Sequence, residues 1–248
     1  MALRQPGDPV FYARINSDPR LPGPAANRLV RAGWEALLGW IQEVAPREQA
    51  EVEVHSSCPS GSEAGHRRLE AAGFSHQRTF WEMTGRVTDE TRRQPPVEGL
   101  SIESTRDERT MHRLLDEAFL GHWGFEPMPF DEWLTVQESA AGHDPDLWRL
   151  ARIEGTPAAA MILTRRAATQ GALYVGELAT LAPHRGRGIA SALLAHAFDV
   201  AAEQQLDQVW LHVDSQNTNG APSVYRRAGF DVRSAFDAFT RSLRTDNR

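Results

Sequence analysis

The chain has 248 residues, 41% of them hydrophobic and 24% charged, which is the composition of a soluble globular protein with room for one large domain or two modest ones. Its formal net charge of −6 argues against a nucleic-acid partner, and no apolar run reaches the roughly 18 residues a membrane span needs. The single cysteine, Cys58, excludes an internal disulfide, and no Cys/His cluster has metal spacing.

The start, "MALRQPGDPVFYAR", lacks a basic stretch followed by an apolar core, so no secretory signal is expected and a cytoplasmic location fits. All 27 basic residues are arginine, so no lysine is available as a nucleophile or Schiff base.

Taken in chain order, residues 9–16 alternate weakly and read as a strand, and "PRLPGPA" reads as a loop. "ANRLVRAGWEALLGWIQEVA" has helical periodicity, with Leu29, Ala32, Ala36, Leu37 and Trp40 near one face. "EVEVHSS" is a strand, "EAGHRRLEAAGF" a short helix stopped by Gly73, and "RTFWEMTGRV" another strand. Residues 89–97 are polar, carry two prolines and read as a linker between domains at 1–88 and 98–248.

Beyond it come a strand and a helix, with Leu114, Leu115, Ala118 and Phe119 as the helix's apolar positions. A loop and a second helix follow in "GHWGFEPMPFDEWLTVQES". "LWRLARIEG" and "TPAAAMILTRR" form a hairpin closed by "EGTP". "GALYVGELATLA" is the next strand. The helix "GIASALLAHAFDVAAEQQ" turns Leu193, Leu194, Ala197, Phe198 and Ala201 inward. "QVWLHVDS" is a strand, "NGAPSVYRRAGF" a short helix, and "FDVRSAFDAFTRSL" one or two closing strands. The order βααβββαβαβ(β) predicts an α/β or α+β domain on a mixed sheet.

Part of this order occurs twice. "RLPGPAANRLVRAGWEALL" aligns with "RGRGIASALLAHAFDVAAE", matching Arg20 with Arg185, Gly23 with Gly188, Ala25 with Ala190 and Leu29 with Leu194. Downstream, "VEVHSSC" aligns with "VWLHVDS" and "LEAAGF" with "YRRAGF". Two copies of such length indicate duplicated domains rather than a solenoid. The first copy is partial and degenerate. It begins near the second copy's fourth strand, its front half being either missing or left upstream of this start. Pro22 and Pro24 stand where the second copy has Arg187 and Ile189, which removes two backbone N–H donors, and Leu69 stands where it has Tyr225.

"RGRGIA" (185–190) lies between a strand and a helix. A helix N-terminus offers unpaired N–H groups and a partial positive charge, and glycines at 186 and 188 let a ligand approach the backbone. The loop suits a phosphate or pyrophosphate, or is a plain Gly-rich turn with solvated arginines. It is neither a P-loop nor the Rossmann spacing.

With "RGRGIA", the strand before it and "NTNGAPSVYRRAGF" some thirty residues later, the chain resembles the GCN5-related N-acetyltransferase (GNAT) superfamily. The resemblance covers residues 97–243 well and 9–86 in degenerate form. Its duplicated layout resembles the tandem-GNAT group that includes mycothiol synthase. It implies an N-acetyltransferase, without a metal, that transfers acetyl from acetyl-CoA to a primary amine by direct attack in a ternary complex. The alternative is a non-catalytic acyl-CoA-binding module.

By the same resemblance, Arg185, Gly186, Arg187, Gly188, Ile189 and Ala190 hold the pyrophosphate. Leu178, Ala179 and Thr180 pair with the pantetheine arm where two strands splay, and Asn217 contacts that arm or serves as a turn residue. Tyr225 protonates or hydrogen-bonds the leaving sulfur, or is a core aromatic. Glu177, in an apolar strand where burial raises a carboxylate pKa, is a base. Many relatives carry that glutamate three positions earlier, where this chain has Tyr174. His212, which has a counterpart in His55 of the first copy, and ordered water are the other candidate bases. Trp123, Phe125 and Glu126, with Trp133, form an acceptor site for a small-molecule or peptide amine or pack as a hydrophobic lid, the latter being the favoured reading for Trp133. The chain would be a monomer with an internal pseudo-dimer, or a homodimer.

Overall fold

The computed structural model describes residues 2–4, 10–15, 23–45, 51–93 and 95–244, so Arg20 and Pro22 of the sequence repeat lie outside the described residues. In chain order the elements are β1 (Ala2–Arg4), β2 (Val10–Ala13), α1 (Gly23–Val44), β3 (Glu51–Pro59), α2 (Glu63–Ala71), β4 (Ser75–Arg86), β5 (Leu100–Ser104), α3 (Glu108–Phe119), α4 (Phe130–Ser139), β6 (Trp148–Ile153), β7 (Thr156–Thr164), β8 (Ala172–Thr180), α5 (Ile189–Glu203), β9 (Gln208–Asp214), α6 (Ala221–Arg227) and β10 (Phe230–Arg244). They form two compact units, one of residues 1–80 and 234–248, the other of residues 81–233. The division falls inside β4 and β10. The closing segment is one strand, and the polar stretch 89–97 belongs to the second unit.

In the first unit β2 runs parallel to β3, and β3 pairs antiparallel with Phe236–Arg244. The period-two pattern of β3 buries Val52, Val54, Ser56 and Cys58. Ser62 caps α2 by accepting the Gly65 N–H at 3.1 Å.

Helix α1 corrects the sequence expectation. It buries Ala26, Val30, Trp34, Leu38 and Ile41, whereas Leu29, Ala32, Ala36 and Trp40 are exposed and Leu37 is half-buried. The helix carries apolar residues on two stripes, and only one can face the sheet. The stripe with Trp34 wins, packing that indole against Phe74 at a tilt of 55° with ring centroids 4.7 Å apart.

Asp237 is buried beneath these elements. It accepts hydrogen bonds from Thr79 Oγ1 (2.6 Å) and Ser60 Oγ (2.8 Å), and its other oxygen lies 2.8 Å from His66 Nε2. Burial alone would push its pKa up. The bonds from Thr79 and Ser60, with His76 and His66 nearby, outweigh this and hold it below the usual carboxylate value. A depressed folded-state pKa stabilises the fold above the unfolded-state value, and the contribution is lost as pH falls through the folded value. Asp237→Asn is therefore expected to lose about 1–2 kcal/mol at pH 7. The gap from wild type should narrow below about pH 4, which urea unfolding at the two pH values would measure.

In the second unit β5, β6, β7 and β8 form an antiparallel run, and β9 joins β8 in parallel through α5. A parallel neighbour requires such a crossover. Helix α5 is apolar nearly all round, and Leu193, Leu194, Ala197, Phe198 and Ala201 are buried as expected. It packs on the face that carries Met161, Leu163, Leu173, Val175, Val209 and Leu211. Helices α3 and α4 cover the opposite face at Leu150, Ala160, Ile162 and Ala179. Asp107 caps α3, accepting the Thr110 N–H at 3.1 Å.

Candidate active site

Strand β8 changes faces partway along. Its register with β7 runs Thr164↔Tyr174 and Leu163↔Val175, then resumes at Ile162↔Glu177, so Gly176 is an extra, bulged residue. Before the bulge, Leu173 and Val175 face α5. After it, Leu178 takes that face and Ala179 the other. Residues three apart in a regular strand lie on opposite faces. Here the bulge places Tyr174 and Glu177 together on the α3/α4 face.

Pairing between β8 and β9 covers Ala172–Val175 with Gln208–Leu211, while β8 continues to Thr180 and β9 to Asp214. The ends carrying Leu178, Ala179 and Thr180 thus diverge from β9, as a splayed pair does. Tyr174 lies at the closed end and Glu177 at the start of the opening.

Glu177 Oε1 accepts a hydrogen bond from Gln137 Nε2 of α4 at 2.7 Å. Burial pushes its pKa up, the Gln137 bond opposes this, and the Asp116 carboxylate adds to the rise. On the same face His212 Nδ1 lies 2.6 Å from the Tyr174 hydroxyl. His212 Nε2 lies 3.4 Å from Glu82 Oε2, and Glu82 Oε1 accepts from Arg233 at 3.0 Å. The Arg166 guanidinium stacks 4.1 Å above the Tyr174 ring.

Tyr225 of α6 is buried in the α5-side core with its ring edge-on to Phe230. Burial, with Tyr174 nearby, pushes its phenol up to about 12, so the hydroxyl stays protonated and able to donate across the neutral range.

The loop after β8 is shaped by two glycines with φ of 75° (Gly186) and 84° (Gly188), in the left-handed region. Gly188 is the N-terminal cap of α5 and no side chain caps the helix. The N–H groups of Ile189 and Ala190, in its first turn, therefore lack intrahelical partners. The loop residues 186–188 are exposed. Arg185 is turned toward the protein, its Nε donating to Thr180 O at 3.0 Å and its Nη2 to Ala118 O at 2.9 Å. It braces the loop, whereas the exposed Arg187 lies 3.4 Å from His184 Nδ1.

Asn217 acts in the turn before α6. Its Oδ1 accepts the N–H groups of Asn219 (3.0 Å) and Ala221 (3.4 Å). In the α3–α4 loop Trp123 and Glu126 are exposed, and Phe125 rests on Phe119 at 5.7 Å. Trp133 is buried against Trp148 at 5.5 Å and belongs to the core instead of the acceptor wall.

The structure thus brings Tyr174, Glu177 and His212 onto one face, while Tyr225 lies in the α5-side core within electrostatic reach of Tyr174. Sequence reading missed Gln137 and Glu82 as partners of this group. A lone glutamate in the aromatic strand "RTFWEMTGRV" was the available signal for Glu82.

A phosphate-bearing acyl donor fits these residues. The uncapped helix end supplies N–H donors, the two glycines keep its approach open, and the edge of β8 past Val175 offers backbone groups to an extended arm. Among the described residues, no helix is long and apolar enough to cross a membrane.

Residues 109–230 match the model of the acetyltransferase (GNAT) family. Among solved structures, a GCN5-related N-acetyltransferase from Sphaerobacter thermophilus is 29% identical, with a TM-score of 0.74 over 95% of this chain and 73% of that one. A GCN5-related N-acetyltransferase from Kribbella flavida shares 18% identity, with a TM-score of 0.59 over 93% of this chain and 80% of its own. A tandem GNAT protein from the clavulanic acid biosynthesis pathway shares 14%, with a TM-score of 0.65 over 95% and 76%. The last two show likeness of fold. No protein with a curated description matches the chain.

Proposed function

We propose that the chain, whose residues 109–230 match the acetyltransferase (GNAT) family, is an acyl-CoA-dependent N-acyltransferase acting on a primary amine with acetyl-CoA as donor. The observation that carries the reading is the uncapped, glycine-flanked start of α5 beside the opening between β8 and β9. Gly186, Arg187, Gly188, Ile189 and Ala190 would hold the pyrophosphate, with Arg185 fixing the loop. Leu178, Ala179 and Thr180 would pair with the pantetheine arm, and Asn217 would shape the turn beside it. Acetyl-CoA supplies an activated thioester.

Transfer is direct, from donor to amine. Residues 81–233 contain neither cysteine nor lysine to carry an acetyl group, and Cys58 of the first unit is a buried thiol whose pKa burial raises. Glu177 takes the first proton from the entering ammonium, leaving a neutral amine. Tyr225 gives a proton to the departing sulfur. Trp123, Phe125 and Glu126 line the acceptor's approach, an aromatic wall with one carboxylate. The first unit is the degenerate copy of the domain.

Because the Gln137 bond holds the Glu177 pKa down, Gln137→Ala is expected to raise it further. The acid limb of kcat/KM then moves to higher pH, as a pH–rate profile would record. An unmoved limb would remove Glu177 from the role.

The reading is tested by calorimetric titration of acetyl-CoA, followed by thiol release with a panel of amines. Binding with turnover is expected. Binding without turnover would make the chain an acyl-CoA-binding module. No binding would remove both readings.

A further inference from the structure

Making an amide from an ammonium requires the loss of two protons from nitrogen. Glu177 accounts for one of them. The second must leave as the N–C bond forms, and another group on the same face is built to receive it.

Tyr174, His212 and Glu82 form a connected chain across β8, β9 and β4. Tyr174↔Trp210 is a parallel pair, so His212, two residues beyond Trp210, shares the face of Tyr174 and Glu177. Glu82 lies on that face as well, because its neighbour Met83 is buried in the α5-side core. The Glu82 carboxylate faces His212 Nε2, which favours a proton on that nitrogen and leaves the lone pair of Nδ1 directed at the Tyr174 hydroxyl 2.6 Å away. Arg233 holds Glu82 from β10, and Arg166 stacks on the Tyr174 ring from the segment after β7.

We propose that Tyr174, His212 and Glu82 are a proton relay serving the acceptor nitrogen, a role that rests on the N-acyltransferase reading. As the N–C bond forms and the C–S bond breaks, Tyr174 Oη takes the proton from nitrogen and passes its own to His212 Nδ1. Glu82 balances the imidazolium. Tyr225 supplies the proton for sulfur, and of the two protons released from nitrogen the net remainder goes to solvent. Burial, the largest cause, lowers the His212 pKa, Glu82 opposes it and Arg166 adds to the fall, which favours the neutral ring that can accept a proton. Tyr174 would be the catalytic group of the three, with His212 and Glu82 acting through it.

His212→Asn tests this. Asparagine retains an oxygen that can accept from Tyr174 but cannot take its proton. With the amine turned over fastest by the wild type, kcat should fall about a hundredfold while the Kd for acetyl-CoA stays within about twofold. Tyr174→Phe should fall as far, and the double variant no further than either single one. Wild-type kcat in His212→Asn, or losses that multiply in the double variant, would overturn the relay alone. A wild type that binds acetyl-CoA but turns over no amine would overturn the enzyme reading and the relay together. Nitrogen-15 spectra of His212 give a second readout. The Nε2–H tautomer is expected, with a titration midpoint that drops in Glu82→Gln. The other tautomer, or an unmoved midpoint, would overturn the relay whatever the turnover.

Discussion

Tyr225→Phe should lower kcat for acetyl transfer about a hundredfold and leave the Kd for acetyl-CoA nearly unchanged. The substitution removes one hydroxyl and keeps the ring that packs edge-on to Phe230 in the α5-side core, so the fold has little to lose. What goes is the donor for the departing sulfur. A phenol pushed up to about 12 is protonated at every usable pH, so it can donate but cannot act as the base. A hundredfold fall corresponds to about 2.7 kcal/mol of transition-state stabilisation. The readout that separates this role from packing is the split between constants. A structural defect would weaken acetyl-CoA binding and lower the melting temperature, while loss of an acid lowers kcat alone. A variant with wild-type kcat would leave Tyr225 as a core aromatic.

Gly188→Pro should abolish acetyl-CoA binding, a loss of at least about a hundredfold in Kd, since each factor of ten is ~1.4 kcal/mol. Gly188 has a φ of 84°, and proline is locked near −65°. The substitution also removes an N–H from the loop that would cradle the pyrophosphate. It introduces the kind of change that Pro22 and Pro24 represent in the first copy. Because proline at this φ also threatens the start of α5, Gly186→Ala serves as a second variant. A Cβ there meets nothing within 4 Å, so its effect comes from backbone strain alone, roughly 1–2 kcal/mol for a left-handed residue. It should weaken binding in proportion while α5 stays intact by circular dichroism. Full binding by a folded Gly188→Pro would move the donor elsewhere.

Much of the second unit was legible in the sequence because its signals are local. Helix α5 announces itself by apolar periodicity after a glycine, and the β6–β7 hairpin by two apolar runs around "EGTP". The inward set of α5 could be read directly because most of that helix is buried. Helix α1 could not be read so, because Leu29 and Trp40 form a stripe as apolar as the true one. The choice between stripes depends on Phe74 and the sheet, which come later in the chain. The resemblance makes Arg185 a pyrophosphate contact, and in the fold it also hydrogen-bonds backbone carbonyls. Its carbonyl partners, Thr180 and Ala118, could not be inferred because one of them ends a helix far upstream. The company of Glu177 was also out of reach. A period-two reading puts Tyr174 and Glu177 on opposite faces, and only the register with β7 reveals that they share one. Glu82 joins His212 by strand adjacency alone, which no spacing along the chain encodes.

The bulge at Gly176 has a further consequence for how this site tolerates change. A strand has parity: removing or adding one residue exchanges its two sides. Deleting Gly176 itself would remove the bulge and leave Glu177 two residues from Tyr174 on the same face, whereas regular pairing with Gly176 retained would rotate Glu177 toward α5 and bring Leu178 to the face of Tyr174. The chemistry of β8 is therefore addressed by a count of residues as much as by their identities. A point substitution at this strand degrades the site by degrees, while a one-residue slip in its pairing turns it inside out.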